Sequence, residues 1–229
     1  VDMTRLRAEL LQHYYDQHGT PLRLWLVARM AQIEQLGRHI RLLYNLLVTW
    51  KPSAAIVKHI VGFTAARSIP TLSKQTMVKL VAEERQRYRM DRPKKKIFLF
   101  ADEFTNQQEA ELGLTFAKLL MQLGYQVEIS SHLESGRAAI SKGNLKRAKK
   151  IAWKNVDLLC EQVSDNQPLV GIEPSTILTF RDEYPDLVSA DRRRTAIELS
   201  KHCLLYDEYL LKEIKEGRIN VDDFEDNEM

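Results

Sequence analysis

The chain has 229 residues, 44% of them hydrophobic and 28% charged, which is enough for one or two domains with a sizeable buried core. Its 34 basic and 31 acidic residues leave a net charge of only +3, too even a balance for a dedicated nucleic-acid binder. Two cysteines, Cys160 and Cys203, cannot build a disulfide framework or an all-cysteine metal site, and they favour a reducing, intracellular setting.

No stretch reads as membrane-spanning: the richest apolar run, Leu42 to Trp50, contains Asn45 and is about half the required length. Arg5, Arg7 and Glu9 fall where a signal peptide would be apolar. Charge is nevertheless unevenly placed. Arg85–Lys96, Lys142–Lys154 and Arg192–Arg194 are basic, whereas Asp222–Glu228 is acidic. These runs read as solvated helix faces and a frayed tail.

The first ninety or so residues read as helical. Asp2 or Thr4 can cap a helix to about His18, with Leu6, Leu10 and Tyr14 on one face. Gly19 and Pro21 punctuate it. A long helix follows, in which Leu22, Leu26, Met30, Ile33, Leu36, Ile40, Leu43 and Leu47 recur by threes and fours. Such a stripe is expected to be buried against another element. Lys51-Pro52-Ser53 ends it, a shorter helix runs to about Val61, and Ile69-Pro70-Thr71-Leu72-Ser73 is an extended linker. Ser73 then caps a helix to about Arg89.

At Pro93 the pattern changes. Lys96–Ala101 is a short apolar run with the look of a buried strand. A helix over Asn106–Leu123 follows, with Ala110, Leu112, Phe116, Leu119 and Leu120 inward, and Gly124 stops it. Tyr125–Ser130 reads as a second strand, Ala138 to about Gln162 as two helical stretches, and Pro168–Ile172 as a third strand. Helices are expected over Ser175–Glu183 and Thr195 to about Gly217. Strands alternating with helices imply a parallel sheet with helices on both faces. The expected fold is therefore α/β and Rossmann-like, preceded by an all-helical segment. The expected division is 1–92 helical, 93–218 α/β, and 219–229 an acidic, disordered tail.

Ligands of an open parallel sheet gather at the carboxyl ends of its strands. Here those ends lead into Asp102–Asn106, His132–Arg137 and Glu173–Thr176, each rich in polar residues. Gly136 beside Arg137 suits close backbone approach and anion contact. Thr105, Ser135 and Ser175 are equally ordinary helix caps. There is no G-x-G-x-x-G, P-loop, H-x-x-x-H or G-x-S-x-G. Of the six histidines only His132 lies in a site loop. Cys160 reads as a buried, inert thiol on an apolar helical face, and Cys203 has no evident activating partner.

The phrases "FADEFTNQQEAELG", "SGRAAISKGNLKRAKKIAWKNV" and "GIEPSTILTFRDEYPDL" give Lys96–Leu187 a resemblance to the cysteine-rich "CCG" domain of iron–sulfur oxidoreductases. That group includes subunits of heterodisulfide reductase, anaerobic glycerol-3-phosphate dehydrogenase and glycolate oxidase, and D-lactate dehydrogenase-like proteins that fuse an FAD-linked oxidase to iron–sulfur modules. "VDMTRLRAELLQHYYDQHGTPLR" resembles the segment after the run C-x-x-C-x-x-C-x-x-x-C-P of their ferredoxin-type domain, and "RSIPTLSKQT" their linker into the first CCG domain. The resemblance implies that Val1 begins just after the last ferredoxin cysteine and that a second CCG domain lies beyond Met229.

The departures carry the functional expectation. The family's C-C-G-R is here Glu134-Ser135-Gly136-Arg137, and its E-P-S-C is Glu173-Pro174-Ser175-Thr176. Iron–sulfur clusters are held chiefly by thiolates, so this module is expected to carry no cluster and no metal. The resemblance implies a longer cytoplasmic protein that oxidises a 2-hydroxy acid such as D-lactate or glycolate at FAD. Electrons would pass through 4Fe-4S clusters towards an acceptor at the membrane's inner face. The chain itself would be an inactive scaffold whose partners are the FAD-binding, ferredoxin-type and second CCG domains. Asp102, Thr105, Asn106, His132, Arg181 and Asp182 are the expected pocket lining. The alternative is a small-anion or hard-metal module built on Glu134, Arg137 and Glu173.

Overall fold

The computed structural model describes residues 3–88 and 91–224. In chain order the elements are α1 (Met3–His18), α2 (Leu22–Val27), α3 (Met30–Gly37), a 3-10 turn (Arg38–Ile40), α4 (Arg41–Thr49), α5 (Lys51–Val61) and α6 (Met77–Arg87). Then come β1 (Lys96–Leu99), α7 (Glu103–Gln107), α8 (Ala110–Gln122), β2 (Gln126–Ile129), α9 (Arg137–Ser141), α10 (Leu145–Leu159) and β3 (Leu169–Gly171). The chain continues through α11 (Pro174–Asp182), α12 (Tyr184–Leu187), α13 (Ala190–Ser200), β4 (Cys203–Leu205), α14 (Tyr206–Lys215) and a 3-10 turn (Val221–Phe224). They form two compact units, one of residues 1–74 with 136–150, the other of 75–135 with 151–229.

The second unit is a four-stranded, wholly parallel sheet in the order β2-β1-β3-β4. Side chains alternate across it. Ile97, Leu99 and Ala101 face a core made with Met77 and Val81 of α6, Phe116 and Leu120 of α8 and Tyr209 of α14. Phe98 and Phe100 face a core made with Ala152, Val156 and Leu159 of α10, Ile177 and Phe180 of α11 and Leu199 of α13. Burial on both faces explains why β1 is apolar throughout instead of alternating with polar residues. The Rossmann-like α/β fold expected from the sequence is thus present. At Gly171 a Cβ would lie 2.5 Å from Cβ of Ile177, so only glycine lets β3 turn this closely into α11.

Several boundaries differ from the sequence reading. The helix expected over Thr195–Gly217 is split by β4, whose three residues are too few to show a period of two. The single helix expected over Asn106–Leu123 is α7 and α8, and Leu112 is exposed rather than inward. Thr76, not Ser73, caps α6: its Oγ1 accepts from the Lys79 N–H at 3.2 Å. Asp2 lies outside the described residues and Thr4 is already inside α1. Ile219 is buried, and 225–229 lie outside the described residues.

In the helical unit the long helix expected from Leu22 to Leu47 is α2, α3, a 3-10 turn and α4. It breaks at Arg29 (φ −116°) and Ile40 (φ −122°), and Gly37 lies so close under Tyr44 that a Cβ would be 2.8 Å from the ring. The apolar spacing runs on across both breaks, which is why the sequence reads as one helix. Asn45 of α4 pins the extended segment behind it: its Oδ1 accepts from the Leu72 N–H at 2.8 Å and its Nδ2 donates to the Leu72 carbonyl at 3.0 Å. Residues 136–150 join α1 through Lys146, whose Nζ is 2.6 Å from Oδ1 of Asp16 and whose N–H donates to Oε1 of Gln12.

The stripe itself is a correction. Leu22, Leu36, Ile40, Leu43 and Leu47 are all exposed, as are Leu6, Leu10 and Tyr14 of α1, whereas Ala8, Tyr15, Ala28, Val48 and Ala54 are buried. Leu26, Met30 and Ile33 of the same stripe are half-buried, so only the other five residues depart from the expected burial.

Candidate functional site

The strand order reverses between β1 and β3, and the loops leaving those strands flank the topological switch point where α/β sheets bind ligands. Asp102 lies in the loop after β1 and caps α7: Oδ1 accepts from the N–H groups of Phe104 and Thr105, both at 2.9 Å, and Oδ2 from Oγ1 of Thr105 at 2.5 Å. Burial raises its carboxyl above the usual range; these bonds oppose the shift, and the nearby Glu173 carboxylate adds to it. Glu173, past β3, caps α11 by accepting from the Ser175 N–H at 3.2 Å and its Oγ at 2.6 Å. The two carboxylates at the switch point are therefore already committed to helix N-termini.

The loop after β2 is closed by a buried polar network. Oε1 and Oε2 of Glu103 accept from Oγ and N–H of Ser135 at 2.6 and 3.0 Å. Burial raises the Glu103 carboxyl, and the two Ser135 bonds oppose the shift. The Ser135 carbonyl accepts from the Tyr184 hydroxyl at 3.0 Å, and that hydroxyl accepts from Nδ2 of Asn155 at 2.7 Å. Asn155 also donates to the Glu134 carbonyl at 3.0 Å and accepts from the Leu133 N–H at 2.7 Å. Glu103, Ser135, Asn155 and Tyr184 are all buried, so each bond is made where water does not compete.

His132 is fixed in the same way. Its Nε2 accepts from the Ala101 N–H at 3.2 Å, which leaves the proton on Nδ1 to be donated to the Leu133 carbonyl at 2.8 Å. Burial lowers the imidazole below its ordinary value, and the ring packs 4.4 Å from that of Phe100. Both ring nitrogens are thus engaged in hydrogen bonds to the backbone.

The other expected residues scatter. Thr105 and Thr176 are buried; Thr176 donates to the Glu173 carbonyl at 2.8 Å. Asn106 accepts from the Val78 N–H, Arg181 makes two bonds to Glu208, and Asp182 is exposed. Pro174 occupies the first turn of α11. Gly136 is left-handed (φ 77°) and, with Arg137, belongs to the helical unit, whereas Glu134 and Glu173 belong to the sheet unit. Cys160 is half-buried just past α10 rather than fully buried on it. Cys203 is buried in β4, and burial raises its thiol far above the ordinary range. Among the described residues no three His, Cys, Asp or Glu side chains converge as metal ligands, and no helix is long and apolar enough to cross a membrane.

The sequence reading missed Glu103, Asn155 and Tyr184. For Asn155 a signal existed: it shares the buried face of α10 with Ala152, Val156 and Leu159, and a polar residue there must be satisfied by something nearby. Ser130, at the end of β2, is also buried, and its hydroxyl has no hydrogen-bond partner among the described residues.

The chain is similar to D-2-hydroxyglutarate dehydrogenases of three bacteria. It is 27% identical to that of Pantoea ananatis over 227 residues, covering 96% of this chain and 22% of the relative. It is 24% identical to that of Escherichia coli over 210 residues (89% and 21%) and 23% to that of Haemophilus influenzae over 201 (84% and 19%). The chain thus spans about a fifth of the length of the relatives it matches. No family model matches it, and no solved structure matches it.

Proposed function

We propose that the chain is a redox-silent α/β module, with its helical lead-in, of a longer FAD- and iron–sulfur-dependent dehydrogenase of a 2-hydroxy acid. The observation that carries the reading is the similarity to D-2-hydroxyglutarate dehydrogenases over 96% of the chain. D-2-hydroxyglutarate therefore takes precedence over D-lactate and glycolate as the substrate to try. FAD and the 4Fe-4S clusters belong, on this reading, to flavin-binding and ferredoxin-type domains of the same cytoplasmic protein, with a second CCG domain as neighbour.

The donor set supports a silent role for this module. The positions that resemble the cluster motifs hold Glu134, Ser135 and Thr176, all oxygen donors, which suit soft iron–sulfur chemistry poorly. Ser135 and Thr176 spend their hydroxyls on Glu103 and the Glu173 carbonyl. These residues do not fit a 4Fe-4S cluster, and no electron step is routed through them. Their chemistry is that of a staple: the Glu103–Ser135–Tyr184–Asn155 network holds the loop where a cluster would otherwise have held it. Of the Glu134, Arg137 and Glu173 that the anion or hard-metal alternative uses, Glu173 is already engaged as the cap of α11.

The test is iron, sulfide and flavin analysis of the purified 229-residue chain beside the longer polypeptide. The chain is expected to be colourless, with iron far below one atom per molecule. The longer protein is expected to show flavin and cluster absorbance and to reduce an artificial acceptor with D-2-hydroxyglutarate. Stoichiometric iron with cluster absorbance in the chain alone would overturn the silent role. No turnover of any 2-hydroxy acid by the longer protein would overturn the dehydrogenase assignment.

A further inference from the structure

The two units differ sharply in charge. The helical unit (1–74 with 136–150) holds sixteen lysines and arginines against four acidic residues, a formal +12. The sheet unit holds eighteen against twenty-seven, a formal −9. The chain's mild +3 is the residue of these two opposed balances. Within 17–74 the imbalance is steeper still: eight basic residues and one acidic residue, Glu34, which is buried.

The same segment carries the exposed apolar side chains. On α4, Leu42 (75% exposed) and Leu46 (57%) lie one turn apart beside Leu43 and Leu47, and Trp50 (60%) joins α4 to α5. On α5, which packs against α4, Ile56 (63%) and Ile60 (54%) lie one turn apart, and Phe63 follows just past the helix's Gly62 cap. Trp25, also exposed, lies 4.3 Å below the Arg29 guanidinium. Arg41 and Lys51 bracket the leucines in sequence. Leucine, isoleucine and tryptophan on basic helices are the composition of segments that lie in the plane of an anionic bilayer surface.

We propose that α4 and α5, with Trp25, form a peripheral docking surface for an anionic lipid bilayer. The apolar side chains would enter the headgroup–acyl boundary, and the cations would meet lipid phosphates. Charge complementarity selects this occupant. Paired face to face with the same helices of a second copy, the segment would meet its own positive charge, with no exposed carboxylate from 17–74 to offset it; a second copy docking through its acidic sheet unit is the outcome that the dimer measurement below detects. The proposal is independent of the dehydrogenase reading, because it needs neither flavin nor clusters.

The experiment is co-sedimentation of the 229-residue chain with vesicles of phosphatidylcholine alone or enriched in phosphatidylglycerol, in low and high salt. Binding is expected only with phosphatidylglycerol, weakened by salt and accompanied by a blue shift of tryptophan emission. Arg41→Glu/Lys51→Glu is expected to weaken binding about tenfold or more. Leu42→Ser/Leu46→Ser is expected to abolish it with far-UV circular dichroism unchanged, since both side chains are largely in solvent. No binding to phosphatidylglycerol vesicles would overturn the proposal, as would equal binding by both variants. A wild-type dimer that Leu42→Ser/Leu46→Ser converts to monomer, without vesicle binding, would assign the face to a second copy and also overturn it.

Discussion

Asn155→Ala is the sharpest probe of the network that closes the loop after β2. The side chain is fully buried and makes three hydrogen bonds, to the Leu133 N–H, the Glu134 carbonyl and the Tyr184 hydroxyl. Each buried bond contributes about 1 kcal/mol net, and the partners left behind have no solvent to turn to. The expected loss is about 3 kcal/mol, with roughly 2–4 °C of melting temperature per kcal/mol for a chain of this length. Tyr184→Phe should cost less, about 1–2 kcal/mol, because the ring stays packed against Phe180 and only the hydroxyl goes. In a double-mutant cycle the two should fall short of additivity, since each removes the bond they share. The assay is urea unfolding with hydrogen exchange at the Leu133 amide, whose protection should fall in Asn155→Ala. If Asn155→Ala unfolds within about 0.5 kcal/mol of wild type, the network is ornamental and the staple argument fails.

The Glu103 carboxyl is raised by burial, so the folded state holds its proton to higher pH than the unfolded state does. Its contribution to stability is present below the unfolded value, 4.5, and is lost as pH rises through the folded one. Glu103→Gln, which keeps an acceptor and a donor for Ser135, should flatten that decline; a pH series of urea midpoints with the same slope as wild type would count against it. Glu213 has the opposite sign. Its carboxylate is opposed by burial but held below its usual value by Arg218, Tyr125 and Lys95. Its stabilisation is therefore present above 4.5 and lost as pH falls, so Glu213→Gln should narrow the gap to wild type in acid. A thiol reagent should label Cys160 in the native chain and reach Cys203 only on unfolding; equal rates would contradict the burial of β4. Gly171→Ala should cost about 1–3 kcal/mol in thermal melts, because its Cβ meets Ile177 at 2.5 Å.

Legibility in the sequence followed the length and burial of each element. β1 was readable because both faces of a central parallel strand are buried, so Ile97, Phe98, Leu99 and Phe100 stand out as one apolar block. β4 was not, because Cys203-Leu204-Leu205 lies between two helical patterns and is too short to interrupt either. The positions of the three loops after strands were readable, and Asp102 and Glu173 cap the helices that follow β1 and β3. What those loops do was less legible, because it depends on Asn155 and Tyr184, 21 and 49 residues downstream of their partners, which meet them only in the fold. Separation in sequence hides a polar network more thoroughly than it hides an apolar core, since hydrogen-bond partners leave no period.

The apolar stripe shows where sequence periodicity ends as evidence. Spacing by threes and fours establishes that one side of α2–α4 is apolar; it does not say what lies against it. Ala28, Val48 and Ala54 are buried, whereas Leu36, Leu42, Leu46 and Trp50 face outward. A face of that kind needs an occupant, and its charge narrows the choice. Segment 17–74 holds eight basic residues and no exposed acidic residue, which favours an occupant that carries negative charge. A lipid surface does so without any specific partner residue. That predicts binding sensitive to lipid charge, and indifferent to which anionic headgroup supplies it.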